Sequence, residues 1–368
     1  MRLIYFSFDY TPHDYRFLSS LAESGHEVFY VRLHRPTRDL EDRSLPPAVE
    51  QVRWEGEADT FRWQDLPQKI RAFRALWRRI KPQLVHAGPI QTCALIAALA
   101  GAQPLLTMSW GFDLMQDAER NAWWRWATRY TLRHSTFFVS DAEVTRRKAI
   151  AFGMRAERTL VFPWGVDLER FAPPARDRFP TEHYNLLCNR RWEPRYGVDV
   201  LVRAFVRLAR EREDVSLLLL GSGSQAPLFH RLLREGGVWD RVHMPGHISQ
   251  NELPSWYRRA HLFISPSHVD GSSVSLMEAL ACGLPVIVSD IPANREWVET
   301  GKNGWLFPDG DEEALYQTLR QALTTPPSRL SELGQAGRLT AESRADWRKN
   351  FATLLQAYEL TLAYGKNG

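Results

Sequence analysis

Along the chain, short apolar runs alternate with longer segments in which apolar residues recur every three or four positions. The runs at 3–8, 26–32, 84–87, 105–109 and 137–140, and again at 185–189, 215–220, 261–264 and 286–288, read as buried strands. Near-continuous apolar strands of this kind belong to sheets covered on both faces. Between them, helices are expected over 15–24, closed by Gly25; over 61–81, with Ile70, Phe73, Leu76, Trp77 and Ile80 on one stripe; and over 121–134, 199–210 and 274–281. A single long helix is expected over 341–362. Strand, helix, strand in repetition is the βαβ pattern of an α/β fold with parallel sheets. Residues 172–180 are rich in Pro and charge and carry no period, so a domain boundary is expected there.

The length, 368 residues, suits about two domains with a core in each. A charged fraction of 24% and a hydrophobic fraction of 44% are those of a soluble globular protein. The formal charge of +4 is too small to argue for nucleic acid. Cys93, Cys188 and Cys282 lie far apart in apolar settings, without disulfide or metal spacing, and read as the reduced thiols of a cytoplasmic protein. The N-terminus MRLIYFSFDY reaches an Asp before a signal-peptide core can build up. The most apolar region, 84–106, is interrupted by His86, Pro89, Gln91, Gln103 and Pro104, and reads as strand plus buried helix rather than a membrane span. Membrane contact is therefore expected to be peripheral, at the inner face of the cytoplasmic membrane. Its candidates are the basic, Trp-rich helices at 61–81 and 121–134, which equally fit scaffold helices packed through Trp with arginines in water.

The chemistry concentrates in residues 261–290, HLFISPSHVDGSSVSLMEALACGLPVIVSD. Gly271, Ser272 and Ser273 precede the helix that begins Val274-Ser275-Leu276, where free N–H groups and the helix dipole favour an anion such as phosphate. Asp270 and Glu278 flank that start. Carboxylates repel a phosphate but accept hydrogen bonds from hydroxyls attached to it, so a sugar nucleotide suits the pattern. An ordinary βαβ unit with a capping Ser and solvated acids suits it equally.

Asp270-x7-Glu278 followed by ALACGLPVIVSD resembles the E-x7-E signature of retaining glycosyltransferases of family 4, with Asp270 in place of the first Glu. The resemblance implies the GT-B fold: two Rossmann-like domains facing a cleft, with the C-terminal helix crossing back to the N-terminal domain. Residues 1–170 with the helix at about 348–368 then form the acceptor domain, and 171–347 the nucleotide-sugar domain. RRWEPRYGV at 190–198 resembles the G-R-L-x-x-x-K-G segment whose Arg and Lys grip the diphosphate. Arg191 falls on the Arg position and Tyr196 on the Lys position, with Arg195 beside it. By resemblance Asp270 holds the donor sugar, Glu278 the ribose, and Arg191 with Arg195 the leaving diphosphate. Gly221 and Gly223, at a strand end, suit close approach of the nucleotide. His247 and Ile248 fall in the segment whose backbone reads the base.

In the first half, WGFD at 110–113 resembles the family's H-G-x-D loop at the donor sugar, with Trp110 for the His; Gly111 and Asp113 match. The first loop lacks the family's Gly-Gly pair, which makes His13 and Asp14 candidate contacts, a helix cap at Asp14 being the alternative. His86 ends a strand on the side where open α/β sheets take ligands. The resemblance implies transfer of a hexosyl group from a nucleoside diphosphate sugar, a UDP-sugar first and GDP-mannose next, to a saccharide or lipid-linked acceptor in polysaccharide, lipopolysaccharide or glycolipid biosynthesis, with no metal and no cofactor beyond the donor. Two alternatives are a sugar-nucleotide epimerase of the same architecture and a non-catalytic nucleotide-sugar binding protein.

Overall fold

The structure, a computed structural model, describes residues 1–35, 41–59 and 62–366; Phe61, the expected start of the second helix, lies outside the described residues. The chain divides into two compact units, Met1–Pro163 with the chain from Lys349 onward, and Trp164–Arg348.

In the first unit β1 (Arg2–Ser7), β2 (Glu27–Arg32), β3 (Val49–Val52), β4 (Leu84–Ala87), β5 (Leu105–Met108), β6 (Phe137–Ser140) and β7 (Thr159–Val161) form a parallel sheet of order β3-β2-β1-β4-β5-β6-β7. Ile4 pairs with Phe29 on one side and Val85 on the other. The winding reverses between β1 and β4, and open α/β sheets take ligands beyond the carboxyl ends of strands at such a reversal. The helix after β1 spans Pro12–Glu23, earlier than the apolar pattern implies, because Thr11 is its cap. Asp14 is not the cap; it is the third helical residue, and its carboxylate closes a capping box on the Thr11 backbone. The helix expected over 61–81 begins only at Leu66 and ends at Ile80, after a short turn at Trp63–Asp65.

In the second unit β8 (Tyr184–Cys188), β9 (Val215–Leu219), β10 (Val242–His243), β11 (Leu262–Ser265), β12 (Val286–Ser289) and β13 (Gly304–Phe307) form a parallel sheet of order β10-β9-β8-β11-β12-β13, reversing between β8 and β11. Its faces are sealed by two apolar clusters, one around Leu186, Phe205 and Leu319, the other around Leu187, Phe263 and Leu280.

Two expectations give way here. Residues 172–180 are not a free connector: Phe179 is buried in the second unit's core, and Arg178 donates to the carbonyls of Tyr257, Ala260 and Cys282. The helix expected over 341–362 is two helices, Pro327–Arg344 and Trp347–Lys366. It breaks because the backbone at 345–347 pairs with Val166 instead: Val166 N–H donates to Ala345 O at 2.7 Å, and Trp347 N–H to Val166 O at 3.2 Å. Asp346 restarts the helix by accepting from Arg348 N–H at 3.0 Å. Asp346→Ala should lower the unfolding free energy by about 0.5–2 kcal/mol, and Asp346→Asn by much less, as read from urea denaturation curves.

Candidate functional site

At the reversal of the second sheet, the loop after β8 meets the loop after β11. The second loop ends at Ser273, whose side chain caps the helix Val274–Ala281. Between the loops lies Arg190. Its guanidinium donates to Asp270 Oδ2 at 2.6 Å, to Ser273 Oγ at 2.8 Å and to Ser275 Oγ at 3.0 Å. The Tyr196 ring lies against it, 4.5 Å from Cζ to the ring centroid. Its Nε–H is buried and has no acceptor among the described residues. Burial pushes the Asp270 carboxyl above its ordinary range, and Arg190 pulls it back toward the charged form.

Below this pair runs a second chain of bonds. Asn189 Nδ2 donates to Tyr257 Oη at 2.8 Å, and Tyr257 Oη donates to Glu278 Oε2 at 2.8 Å. Burial, then the Glu278 carboxylate, push the Tyr257 phenol well up, so it stays a neutral donor. Glu278 is only 4% exposed and is fixed from below. Gly271 donates its N–H to Asp270 Oδ1 at 3.1 Å, and Ser272 Oγ accepts from Trp297 Nε1 at 3.0 Å. Val274 is half-buried and Leu276 belongs to the core.

Arg191, the Arg singled out by resemblance, is exposed. It and Arg195 both act on Glu193, whose carboxylate is held mainly by the Ser224 hydroxyl and sits below its ordinary range. Gly223 has a reason inside the fold: a β-carbon there would lie 2.3 Å from the Trp192 carbonyl oxygen. Gly221 donates its N–H to Gly246 O at 2.8 Å, while His247 beyond it is exposed and Ile248 leans on the core.

Comparison with known proteins matches two family models, "Glycosyltransferase Family 4" over residues 13–170 and "Glycosyl transferases group 1" over residues 173–340. The chain is 31% identical to the GDP-mannose-dependent alpha-(1-6)-phosphatidylinositol monomannoside mannosyltransferase of Mycolicibacterium smegmatis, over 73% of this chain and 74% of that relative. This chain belongs to glycosyltransferase family 4. A D-inositol 3-phosphate glycosyltransferase of Xylanimonas cellulosilytica is 32% identical over 56% of the chain, which spans about half (52%) of that relative's length. Among solved structures, sucrose-phosphate synthase from Thermosynechococcus elongatus superposes with a TM-score of 0.82 over 99% of this chain and 100% of that one, at 21% identity. The Anabaena protein HepE in complex with UDP-glucose superposes at 0.79 over 98% of this chain and 99% of that one, at 17% identity. The fold is GT-B.

In this glycosyltransferase Asp270 and Ser272–Ser275 lie at the start of the helix that carries Glu278, and the cation bonded to Asp270 is Arg190, while Arg191, the residue expected by resemblance at the diphosphate, is exposed. Nothing in the order Arg190-Arg191 separates the two before the turn after β8 is built. The first unit corrects three further expectations. His86 is 1% exposed, with Nδ1 2.8 Å from Tyr358 Oη, and burial lowers it to about 3, so it is a neutral core group rather than a ligand contact. Asp113 is sealed inside, accepting from Ser109 Oγ and from the N–H groups of Ile90, Trp110 and Leu114. It holds the loop at Gly111 instead of meeting a hydroxyl of the donor sugar. Asp14 is buried and accepts from Tyr5 Oη at 3.1 Å. His13 is half-buried, its ring 5.4 Å from that of Trp110.

Burial pushes Asp113 up to about 6, against the pull of its four donors. A carboxyl raised on folding contributes stability that is full below its unfolded value and is lost as pH rises through about 6. Between about pH 4 and pH 7 the wild type should therefore lose, relative to Asp113→Asn, on the order of 2 kcal/mol. Urea denaturation of both proteins across that range checks the slope.

Proposed function

We propose that this glycosyltransferase moves a hexosyl group from a nucleoside diphosphate sugar to a saccharide or lipid-linked acceptor with retention of anomeric configuration, in polysaccharide, lipopolysaccharide or glycolipid assembly. The supporting observation is the Arg190–Asp270 pair at the capped start of the helix Val274–Ala281, with the buried Nε–H of Arg190 lacking an acceptor among the described residues. A buried donor without a partner is uncommon and calls for one. In this role Arg190, with Arg191 and Arg195 from the same loop, binds the diphosphate and stabilises the charge that grows on it as it leaves. Asp270 accepts from a hydroxyl of the donor sugar, and Glu278, fixed by Tyr257, takes the ribose hydroxyls.

The acceptor oxygen bonds to the anomeric carbon on the face from which the phosphate departs. The carbon–oxygen bond to that phosphate breaks, and a phosphate oxygen takes the acceptor proton. Such a front-side displacement uses no metal and no side-chain base. GDP-mannose, the donor in the name of the 31%-identical relative, is the first donor to test. UDP-hexoses come next; the structures solved with UDP are too distant in sequence to speak for more than the fold.

A peripheral membrane position is part of the proposal. Among the described residues no helix is long and apolar enough to cross a membrane. In the first unit the helix Ala122–His134 carries Trp123 and Trp126, each 41% exposed, stacked 4.7 Å apart, with Tyr130 continuing the stack. Arg125, Arg129 and Arg133 are exposed on the same helix. Because the indole faces cover each other, their edges are what the surface offers, which suits a lipid headgroup layer better than a sugar platform that needs open ring faces. Trp123→Ser/Trp126→Ser should abolish cosedimentation with vesicles of phosphatidylglycerol, and high salt should weaken it in the wild type; equal pelleting of variant and wild type overturns the membrane face.

The donor site is tested by thermal melting against GDP, UDP and ADP, repeated on Arg190→Ala, Glu278→Ala and the exposed-residue variant Arg191→Ala. A ligand at 100 times its dissociation constant should add about 2.7 kcal/mol. One nucleotide that shifts the wild type, with the shift lost in Arg190→Ala, names the donor class. The absence of a shift with all three nucleotides overturns the donor site.

A further inference from the structure

We propose that His268, held by Asp309, is a phosphate-binding residue of the donor site that takes up a proton when the donor binds. The proposal rests on the donor-site function above and adds a residue to it. A nucleoside diphosphate sugar brings two negative charges. The loop after β8 offers Arg190, Arg191 and Arg195, but Asp270 pairs with Arg190, and Glu193 lies beside the other two. That leaves the loops one positive charge against two. Tyr196 adds none, since its ring is laid against Arg190 and packs on the core.

His268 stands where a further charge would act. It lies two residues before Asp270 in the loop after β11, and its backbone N–H donates to Arg195 O at 3.0 Å, tying it to the arginine loop. Its Nδ1 is 2.7 Å from Oδ1 of Asp309, in the turn after β13. The opposite edge of the ring lies over Gly197, where a β-carbon would be 3.1 Å from Nε2 and 3.2 Å from Cε1. Gly197 holds φ +58, and that same β-carbon would lie 2.2 Å from the Pro266 carbonyl oxygen, so the turn keeps a bare backbone under the imidazole. The His268 side chain is 34% exposed, and Nε2 has no protein partner among the described residues.

The Asp309 carboxylate takes the Nδ1 proton and fixes the ring, which leaves Nε2 as the atom for a phosphate. Phosphate oxygens of the dianionic donor only accept, so a bond at Nε2 requires a second proton on the ring, and donor binding and uptake of one proton are linked. The charged group on the ring is Asp309, at Nδ1; Arg195 is tied to His268 through its backbone carbonyl, and Asp270 follows two residues later in the same loop.

The test is isothermal titration with GDP-mannose and UDP-glucose, whose diphosphate diesters do not titrate near neutrality, from about pH 6 to about pH 8. For the wild type the dissociation constant should rise severalfold across that range, with a limiting slope of about tenfold per pH unit for one linked proton. His268→Gln should bind more weakly at the acid end and show no slope. Asp309→Asn, which keeps the ring but removes its anionic partner, should move the slope to lower pH. Melting curves of both variants without ligand confirm that they fold. A slope unchanged in His268→Gln overturns the proposal and leaves the donor site standing. No binding of either donor at any pH overturns the donor site and His268 with it.

Discussion

A guanidinium taken out of water must recover its hydrogen bonds from the protein, and the second unit is arranged around that requirement at Arg190. Asp270, Ser273 and Ser275 come from one loop and the first turn of one helix, yet each places an oxygen on Arg190. The loop after β11 cannot move without unpairing a charge that is expensive to leave unpaired. Tyr196 closes the open face of the guanidinium. One cation thus fixes the start of the helix Val274–Ala281, the position of Asp270 and the turn that leads to Gly197. The Asn189–Tyr257–Glu278 chain repeats the device one layer deeper with neutral donors.

The first unit treats its polar groups in the opposite way. His86, Asp14 and Asp113 all lie near the carboxyl ends of strands, where a ligand is normally met, and all three are enclosed. Asp113 is surrounded by donors, and His86 sits among the rings of Tyr5, Phe17 and Tyr358. They set the shape of the loops that reach the surface, and leave the surface itself to His13 and Trp110.

Nine strands were legible in the sequence because parallel strands covered on both faces need unbroken apolar runs, and β4, β6 and the helix Val274–Ala281 fall where the pattern puts them; the short strands β3, β7, β10 and β13 were not among those runs. Boundaries moved where backbone chemistry outranks pattern, as at Thr11, which caps a helix ahead of its first apolar residue. The break at 345–347 was invisible for a stronger reason: the apolar spacing continues through it, and the partner that interrupts it, Val166, is far away in sequence. The site was legible as a motif but not as geometry. The resemblance identifies which loop carries the cations, but side-chain direction after β8 decides that Arg190 faces Asp270 and Arg191 faces solvent. His268 and Asp309 carry no local signal, since their pairing depends on β11 and β13 lying in one sheet.

The division of the chain into its two units has a consequence for the order in which the molecule is made. The first unit is built from residues before 164 and residues after 348, with all of the second unit between them. Tyr358, the partner of His86, and the buried Leu354, Ala357 and Thr361 are made only after residues 164–348. As the chain grows from its N-terminus, the second unit has its complete complement of strands and helices while the first still lacks a wall of its core. Of the two units, the one that starts earlier is therefore completed later, and until then His86 lacks its partner Tyr358.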